Sequence, residues 1–574
     1  KNNLMFWTVL TRILLRNRLA WLVTLALATA FMAYQGTSVA MTYEFAKLMP
    51  DTDSVSIEYD ELVEEFGQVS NTVVIAMEDA DFFQREHLEQ WLELMSDLKA
   101  VDGVEHVQSL TEAYGLYVDS VTEILAPDTL FQFLPENGEE EIALEARVKS
   151  WPFYKGMLYQ GDTYMAVLRI DENRLYNKEI VPVIEKAKSI ILAWEANSGR
   201  DLHMSGLPWI RIANAKALER EIYRTAGLTL LVTIIIFYLF LKSFRATAIS
   251  IMIVALGAVW AYGIMGLFGY GLTLLSSLIA PLIIVIGVPN CIYLINKYHQ
   301  EYKKHGQQIK AIQRVVSKVG YIALITNTTT ALGFAAFILT SSENLIQFGV
   351  VSSLSILAIF ILSLVLVPVI YSYVSPPKER HLNHFDVAWL ISFLDFLDDA
   401  VENKRKWVYG ITGVAVIAAI YGVTLIQTAG NLTADFNKNK QIYKDVKYFE
   451  RTVGGVVPLD IIIDTKREGG VERLSTLRRI EQLQDSLNTM PQLSRSGSIV
   501  DFVKFAKQGV MFGNPDLYEL PSRSEQQWLL TYLPRGMKDE SGLANSMATA
   551  DGRKARISVQ MADLTTPEMR VLTD

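Results

Sequence analysis

The sequence predicts an α-helical polytopic membrane protein that carries two α+β domains outside the membrane. Three observations carry this reading: seven apolar runs near the length a bilayer requires, two long polar blocks between them, and a layout that repeats. One run precedes a soluble block and five closely spaced runs follow it. One further run then leads into a second block of similar pattern. The first copy of this unit ends near Val374, and the second starts near Trp407 and reaches Asp574 without a second group of five runs. The second half is therefore incomplete in this chain, and a continuation of roughly 200 residues past Asp574 is expected.

The runs fall at 19–35, 225–241, 246–267, 272–296, 319–339, 345–373 and 407–427. They divide the chain into an N-terminal span (1–40), a first soluble domain (41–220), a five-span bundle (221–374), a connector (375–406), a seventh span (407–427) and a second soluble domain (428–574). Basic residues mark the orientation. Lys1, Arg12, Arg16 and Arg18 precede the first span, Lys242 and Arg245 separate the second and third, and Lys303, Lys304, Lys310, Arg314 and Lys318 separate the fourth and fifth. Lys378, Arg380, Lys404, Arg405 and Lys406 precede the seventh. If each run crosses once, all four groups lie on one side, the pattern of a cytoplasmic amino terminus with both soluble domains on the opposite face. Ser38-Val39-Ala40 after the first run also fits a signal-peptidase site. The matching run at 407–427 cannot be a signal peptide, and the repeat therefore favours a retained span.

Composition narrows the function. Half of the 574 residues are hydrophobic and 20% are charged, too apolar for one soluble domain and too interrupted for membrane alone. A net charge of −9 argues against nucleic acid as partner, since phosphate neutralisation needs surplus Lys and Arg. The single cysteine, Cys291, lies in an apolar run and allows no intrachain disulfide. No nucleophile elbow, phosphate loop or metal-ligand spacing occurs, so neither an enzyme, nor a cofactor, nor a metal site, nor direct use of ATP is expected.

The two soluble blocks follow the same order. Tyr59-Asp60-Glu61-Leu62 and Phe66-Gly67 lead to a strand at 72–77, as Tyr443-Lys444-Asp445-Val446, Phe449 and Gly454-Gly455 lead to one at 459–464. Helix-period stretches follow at 84–100 and 471–490, then a short strand, then a strand opened by Gly161-Asp162 or Asp551-Gly552. The first block adds a helix at 178–197 and a strand at 201–206, which completes a ferredoxin-like, split βαβ order. The second retains only Pro567-Glu568-Met569-Arg570 onward of that helix.

Thr329-Thr330-Ala331-Leu332-Gly333-Phe334, then Asn344-Leu345-Ile346-Gln347-Phe348-Gly349, with Val367-Pro368 closing the sixth run, resembles the signature of the resistance-nodulation-division (RND) superfamily. The closest likeness is to its hydrophobe and lipid branch: the mycobacterial MmpL-type exporters, hopanoid transporters, and the Patched and Niemann-Pick type C proteins. Ser205-Gly206-Leu207-Pro208 and Lys242-Ser243-Phe244-Arg245 are similar to the family as well. The resemblance implies an RND fold, with porter-type periplasmic domains and five spans equivalent to a sterol-sensing domain. It also implies a bacterial inner-membrane transporter that moves a lipid or other hydrophobic molecule toward the periplasm or outer envelope on the proton gradient. Membrane lipids, a periplasmic lipid carrier or outer-membrane partner, and a homo-oligomer are the partners it brings. Two rivals stay open, a non-transporting lipid sensor or scaffold and a protein-export accessory resembling SecD/SecF.

The fourth run departs from the family. Where the family carries Gly, Val or Ile, then the Asp thought to hold the coupling proton, this chain reads Gly287-Val288-Pro289-Asn290. Proline cannot titrate; it frees a backbone carbonyl and is expected to kink or unwind the helix. No Asp, Glu, Lys or Arg falls within the cores of runs two to six. Pro289, Asn290, Tyr293 and Asn296, with Thr326, Asn327 and Thr328 in the fifth run, are the transport or coupling candidates. The same residues equally suit interhelical fastening. Aromatic residues Tyr114, Tyr117, Phe131, Phe133, Trp151, Phe153 and Tyr154, and Phe502, Phe505 and Phe512 with Met511 in the second block, suit a greasy substrate path or ordinary core. Residues 386–402 read as an amphipathic surface helix, either a connector or a docking element, and His299 with Glu301 as a solvated helix end.

Overall fold

The computed structural model describes residues 2–40, 53–67, 71–119, 125–175, 178–376, 388–426, 438–525 and 546–573. The chain packs as two compact units, Lys1–Asp53 with Ala215–Ile426, and Ser54–Asn214 with Gln427–Asp574.

In the first unit every predicted run is a helix. Seven helices among the described residues are long and apolar enough to cross a membrane: Arg18–Gly36, Leu207–Leu241, Phe244–Leu267, Leu275–His305, Gln308–Leu339, Glu343–Tyr371 and Arg405–Thr424. Glycine sets how closely the first and third approach. A Cβ on Gly263 would fall 2.6 Å from that of Met32, and one on Gly266 would fall 1.9 Å from the Gln35 carbonyl oxygen. Trp260 Nε1 donates to Thr29 Oγ1 at 2.9 Å across the same crossing. The sixth span is the most enclosed, with Ile356, Ile359 and Leu362 fully buried. The amphipathic stretch forms the helix Ala388–Asn403, while positions 386 and 387 lie outside the described residues.

Three expectations are corrected here. The fourth span runs as one helix from Ile279 to His305 with Pro289 inside it, so no unwinding occurs. Pro289 sits on an exposed face, and one missing donor does not interrupt the flanking ladder. His299 and Glu301 are not solvated: each is buried, because the fifth helix turns back over them and brings Lys318 Nζ to 2.9 Å from Glu301 Oε1. The residues before the first span are more than a basic lead. They form the helix Asn2–Arg16, which buries Trp7, Thr11 and Leu14 and lays the Trp7 ring where a Cβ on Gly320 would fall 2.7 Å away. The signal was present in the sequence as apolar spacings of four and three.

The second unit holds both soluble blocks. In the first, strands β1 (Thr72–Glu78), β2 (Val104–Ser109), β6 (Thr163–Ile170) and β7 (His203–Ser205) form a sheet in the order β2-β6-β1-β7, with every pairing antiparallel. The two-stranded extras are the hairpin of β3 (Tyr114–Val118) with β4 (Leu125–Thr129), and β5 (Tyr159–Gln160) on the edge of β6. Helices Arg85–Lys99 and Ile180–Ser198 pack against each other, burying Leu88, Trp91, Leu94, Ile184 and Ile191 at helical spacing. In the second block, β8 (Val457–Asp464), β9 (Gly497–Ser498) and β10 (Lys554–Met561) follow the order β8-β10-β9, which matches the first three strands of the first block. The helix Leu474–Asn488 follows β8, and the helix Thr566–Thr573 follows β10. Gly206 makes the turn out of β7: its φ of +115° suits glycine, and a Cβ there would strike the Thr72 carbonyl at 2.3 Å.

Candidate functional site

Of the membrane candidates, the fold brings two together. Asn290 Nδ2 donates to Asn327 Oδ1 and Asn327 Nδ2 to Asn290 Oδ1, each at 3.0 Å, and Asn327 Nδ2 also reaches the Ala323 carbonyl at 2.8 Å. This closed pair fastens the fourth span to the fifth and carries no proton that either amide can release near neutral pH. Tyr293 and Thr326 are exposed, Thr328 is half-buried, and the Thr326 hydroxyl donates to its own helix at Ile322. Asn296 Oδ1 is buried and has no hydrogen-bond partner among the described residues.

The aromatic candidates separate into two sets. Phe505, on the helix Ile499–Val510 of the second block, sits in a socket from the first block: it stacks on Phe153 at 4.5 Å and meets Trp151 at 5.1 Å, Tyr114 at 6.0 Å and Tyr154 at 6.0 Å. Gln508 Nε2, one turn on, donates to the Ser150 carbonyl at 2.8 Å. The socket is dry enough to hold the Tyr154 hydroxyl above its usual range, through burial. Phe131 stacks on Phe83 at 6.4 Å, and Phe502 is half-buried. Tyr117, Phe133 and Phe512 are exposed, Phe512 at 97%.

Beside the socket lies a cavity of about 320 Å³ between the two sheets. Val74, Met157, Met165 and Val167 line it from the first block, and Phe449, Val456 and Val559 from the second; Phe153 is the aromatic candidate that borders it. Arg495 and Asp501 also line it, and their charges are already engaged. Arg495 donates to the Pro152 and Lys155 carbonyls at 2.6 Å each and to Asp501 Oδ1 at 3.3 Å. Such a space accepts apolar groups without demanding a counter-charge. A second hollow of about 440 Å³, at Gln90, Glu93, Asp97 and Lys186 along the paired helices of the first block, is mainly polar.

Residues 46–391 match the MMPL family, which covers the first soluble block and the five-span group. The chain belongs to the MMPL family. It is also similar to MJ1562 of Methanocaldococcus jannaschii, a chain described only as a membrane protein, with 22% identity over 378 residues, 63% of this chain and 91% of that one. MMPL membership places the protein among the RND-type transporters, a family of transporters rather than enzymes. Within this MMPL chain, sequence reasoning missed the pairing of His203 with Asp445. His203 Nδ1 lies 2.9 Å from Asp445 Oδ1, and its ring stacks on Tyr448 at 3.8 Å. The only local hint was a buried-side acid on the helix Gln441–Thr452, where apolar residues would otherwise continue.

Proposed function

We propose that this MMPL protein moves a lipid or other hydrophobic molecule across or out of the inner membrane of a bacterial cell, toward the periplasm or outer envelope, with its soluble unit as the chamber. The carrying observation is the apolar cavity between the two soluble blocks of a chain that belongs to a transporter family. The β2-β6-β1-β7 order supports reading each block as a ferredoxin-like porter-type domain, the second of them partial. The placement of basic residues supports a cytoplasmic amino terminus with both blocks periplasmic. Substrate enters from the outer leaflet beside the five sterol-sensing-domain-like spans, and a periplasmic carrier or outer-membrane protein receives it. A proton gradient as energy source then acts through residues other than Pro289 and Asn290. Mass spectrometry of lipids retained by the full-length protein in nanodiscs tests this. A specific lipid enriched over the host membrane, and lost when Val167→Trp and Val559→Trp fill the cavity, is the expected result; recovery of bulk lipid in both cases removes the chamber from the reading.

The closed Asn290–Asn327 pair favours a second reading, a lipid sensor or scaffold that keeps the fold without coupling. Proteoliposomes separate the two: substrate bound but not moved under an imposed pH gradient supports the sensor.

A further inference from the structure

Two of the contacts between the soluble blocks differ in chemistry, and each lies near residues in sequence that line the cavity. One is the Phe505 socket, held by ring contacts and by amide-to-carbonyl hydrogen bonds from Gln508 and guanidinium-to-carbonyl bonds from Arg495. None of these changes between pH 5 and 8. At the second contact His203, two residues before the cavity-lining Ser205, pairs with Asp445, four residues before the cavity-lining Phe449. Asp445 is 3% exposed and also accepts from Gln441 Nε2 at 2.9 Å, so its carboxylate is fixed in place. Tyr448 covers the imidazole face and reaches back to Thr163 of β6 at 3.4 Å.

We propose that His203–Asp445 is a proton-responsive latch between the two soluble blocks, and that the Phe505 socket is the contact that stays closed while the latch opens. Other charged groups face the pair from the elements around it. From β1, Glu78 stands close enough for its charge to act on Tyr448, and Arg451 acts on the same ring from the helix that carries Asp445. Asp201 precedes His203 by two positions, and Lys447 is engaged with Glu450. With its imidazole protonated, the latch is an ion pair between a cation and a buried carboxylate. With the imidazole neutral, the charge–charge attraction is gone and a hydrogen bond to the carboxylate and the Tyr448 stack remain. The latch therefore tightens on acidification and loosens as pH rises. Lys554 with Glu65, at 2.6 Å, also links the blocks and contains no imidazole.

That the latch gates a substrate rests on reading the cavity as the chamber; the latch itself is tested with no substrate present. Spin labels on cysteines at Gln160 and Arg451, in a Cys291→Ser full-length protein, report the latch end, and labels at Gln132 and Asp516 report the socket end. On going from about pH 5.5 to about pH 8 the latch-end separation should lengthen or broaden by more than about 2 Å, while the socket-end separation stays fixed. His203→Gln should hold one distance at both pH values, and Asp445→Asn should give the same loss of pH response with the imidazole retained. An unchanged latch-end distance in the native pair, or a pH response that survives His203→Gln, overturns the proposal. A latch that responds in a protein that retains no lipid would leave the proposal standing and remove the transport reading instead.

Discussion

Asn290 and Asn327 illustrate how a side chain acts in a span without charge: two amides satisfy each other and so make burial in the membrane tolerable. Asn290→Ala strands Asn327 Oδ1, and the loss should be about 0.6–2 kcal/mol, read as a lower melting temperature in detergent. The double variant Asn290→Leu with Asn327→Leu should cost less than the sum of the two single changes, because neither leaves an orphan. In the soluble unit, Asp464 accepts from Arg553 Nε and Nη2 at 2.9 and 2.8 Å and from the Lys466 N–H at 2.7 Å, and these donors hold its carboxyl down to about 2. The folded value lies below the unfolded one, near 4, so the stabilisation is complete above about pH 4 and fades as pH falls toward 2. Denaturant titrations of the native protein and Asp464→Asn at neutral pH and at about pH 3 should show the gap between them shrinking on acidification.

At the scale of elements, the Ile499–Val510 helix matters through one ring. Phe505 is 1% exposed and Phe512, seven residues on, is 97% exposed. Phe505→Ala should therefore cost about 3–5 kcal/mol, whereas Phe512→Ala should fall within about 0.5 kcal/mol of the native protein. Pulse proteolysis of the purified chain distinguishes them, and equal effects would mean the socket does not hold the blocks. The first and third spans depend on the absence of side chains. Gly266→Leu places a branched group where the Gln35 backbone already lies, so the two helices must separate. The expected outcome is a cysteine cross-link between Thr29 and Trp260 positions that forms in the glycine protein and is lost in the leucine variant. Trp7→Ala should loosen the N-terminal helix from the fifth span, and protease access near Arg12 measures it.

For the whole molecule, the topology proposed from Lys and Arg has both soluble blocks outside the cytoplasm, and labelling tests it. Single cysteines at Gln160 and Arg451 should both react with an impermeant maleimide added to intact cells, and a cysteine at Lys304 only after permeabilisation. Opposite labelling of the first two would break the shared-chamber reading, since one cavity cannot be lined from both faces of a membrane.

The seven long apolar helices and the order of strands and helices in each block were determined by the sequence alone. Each depends on local periodicity: an apolar run of bilayer length leaves its backbone no alternative to a helix, and strand alternation reports burial within a few residues. The helix Asn2–Arg16 was equally legible by that logic, and the basic residues drew attention away from its buried face. Tertiary structure alone decided which polar and aromatic groups meet. That Asn290 faces Asn327 and not the carbonyl freed by Pro289, that Phe505 enters a ring of aromatics from the first block, and that His203 finds a buried Asp445 all depend on rotations and crossings between elements far apart in the chain. Periodicity tells which face of an element is buried but not what lies against it. The contacts that shape the cavity and join the two blocks are set by how the blocks pack, a property no stretch of the sequence carries by itself.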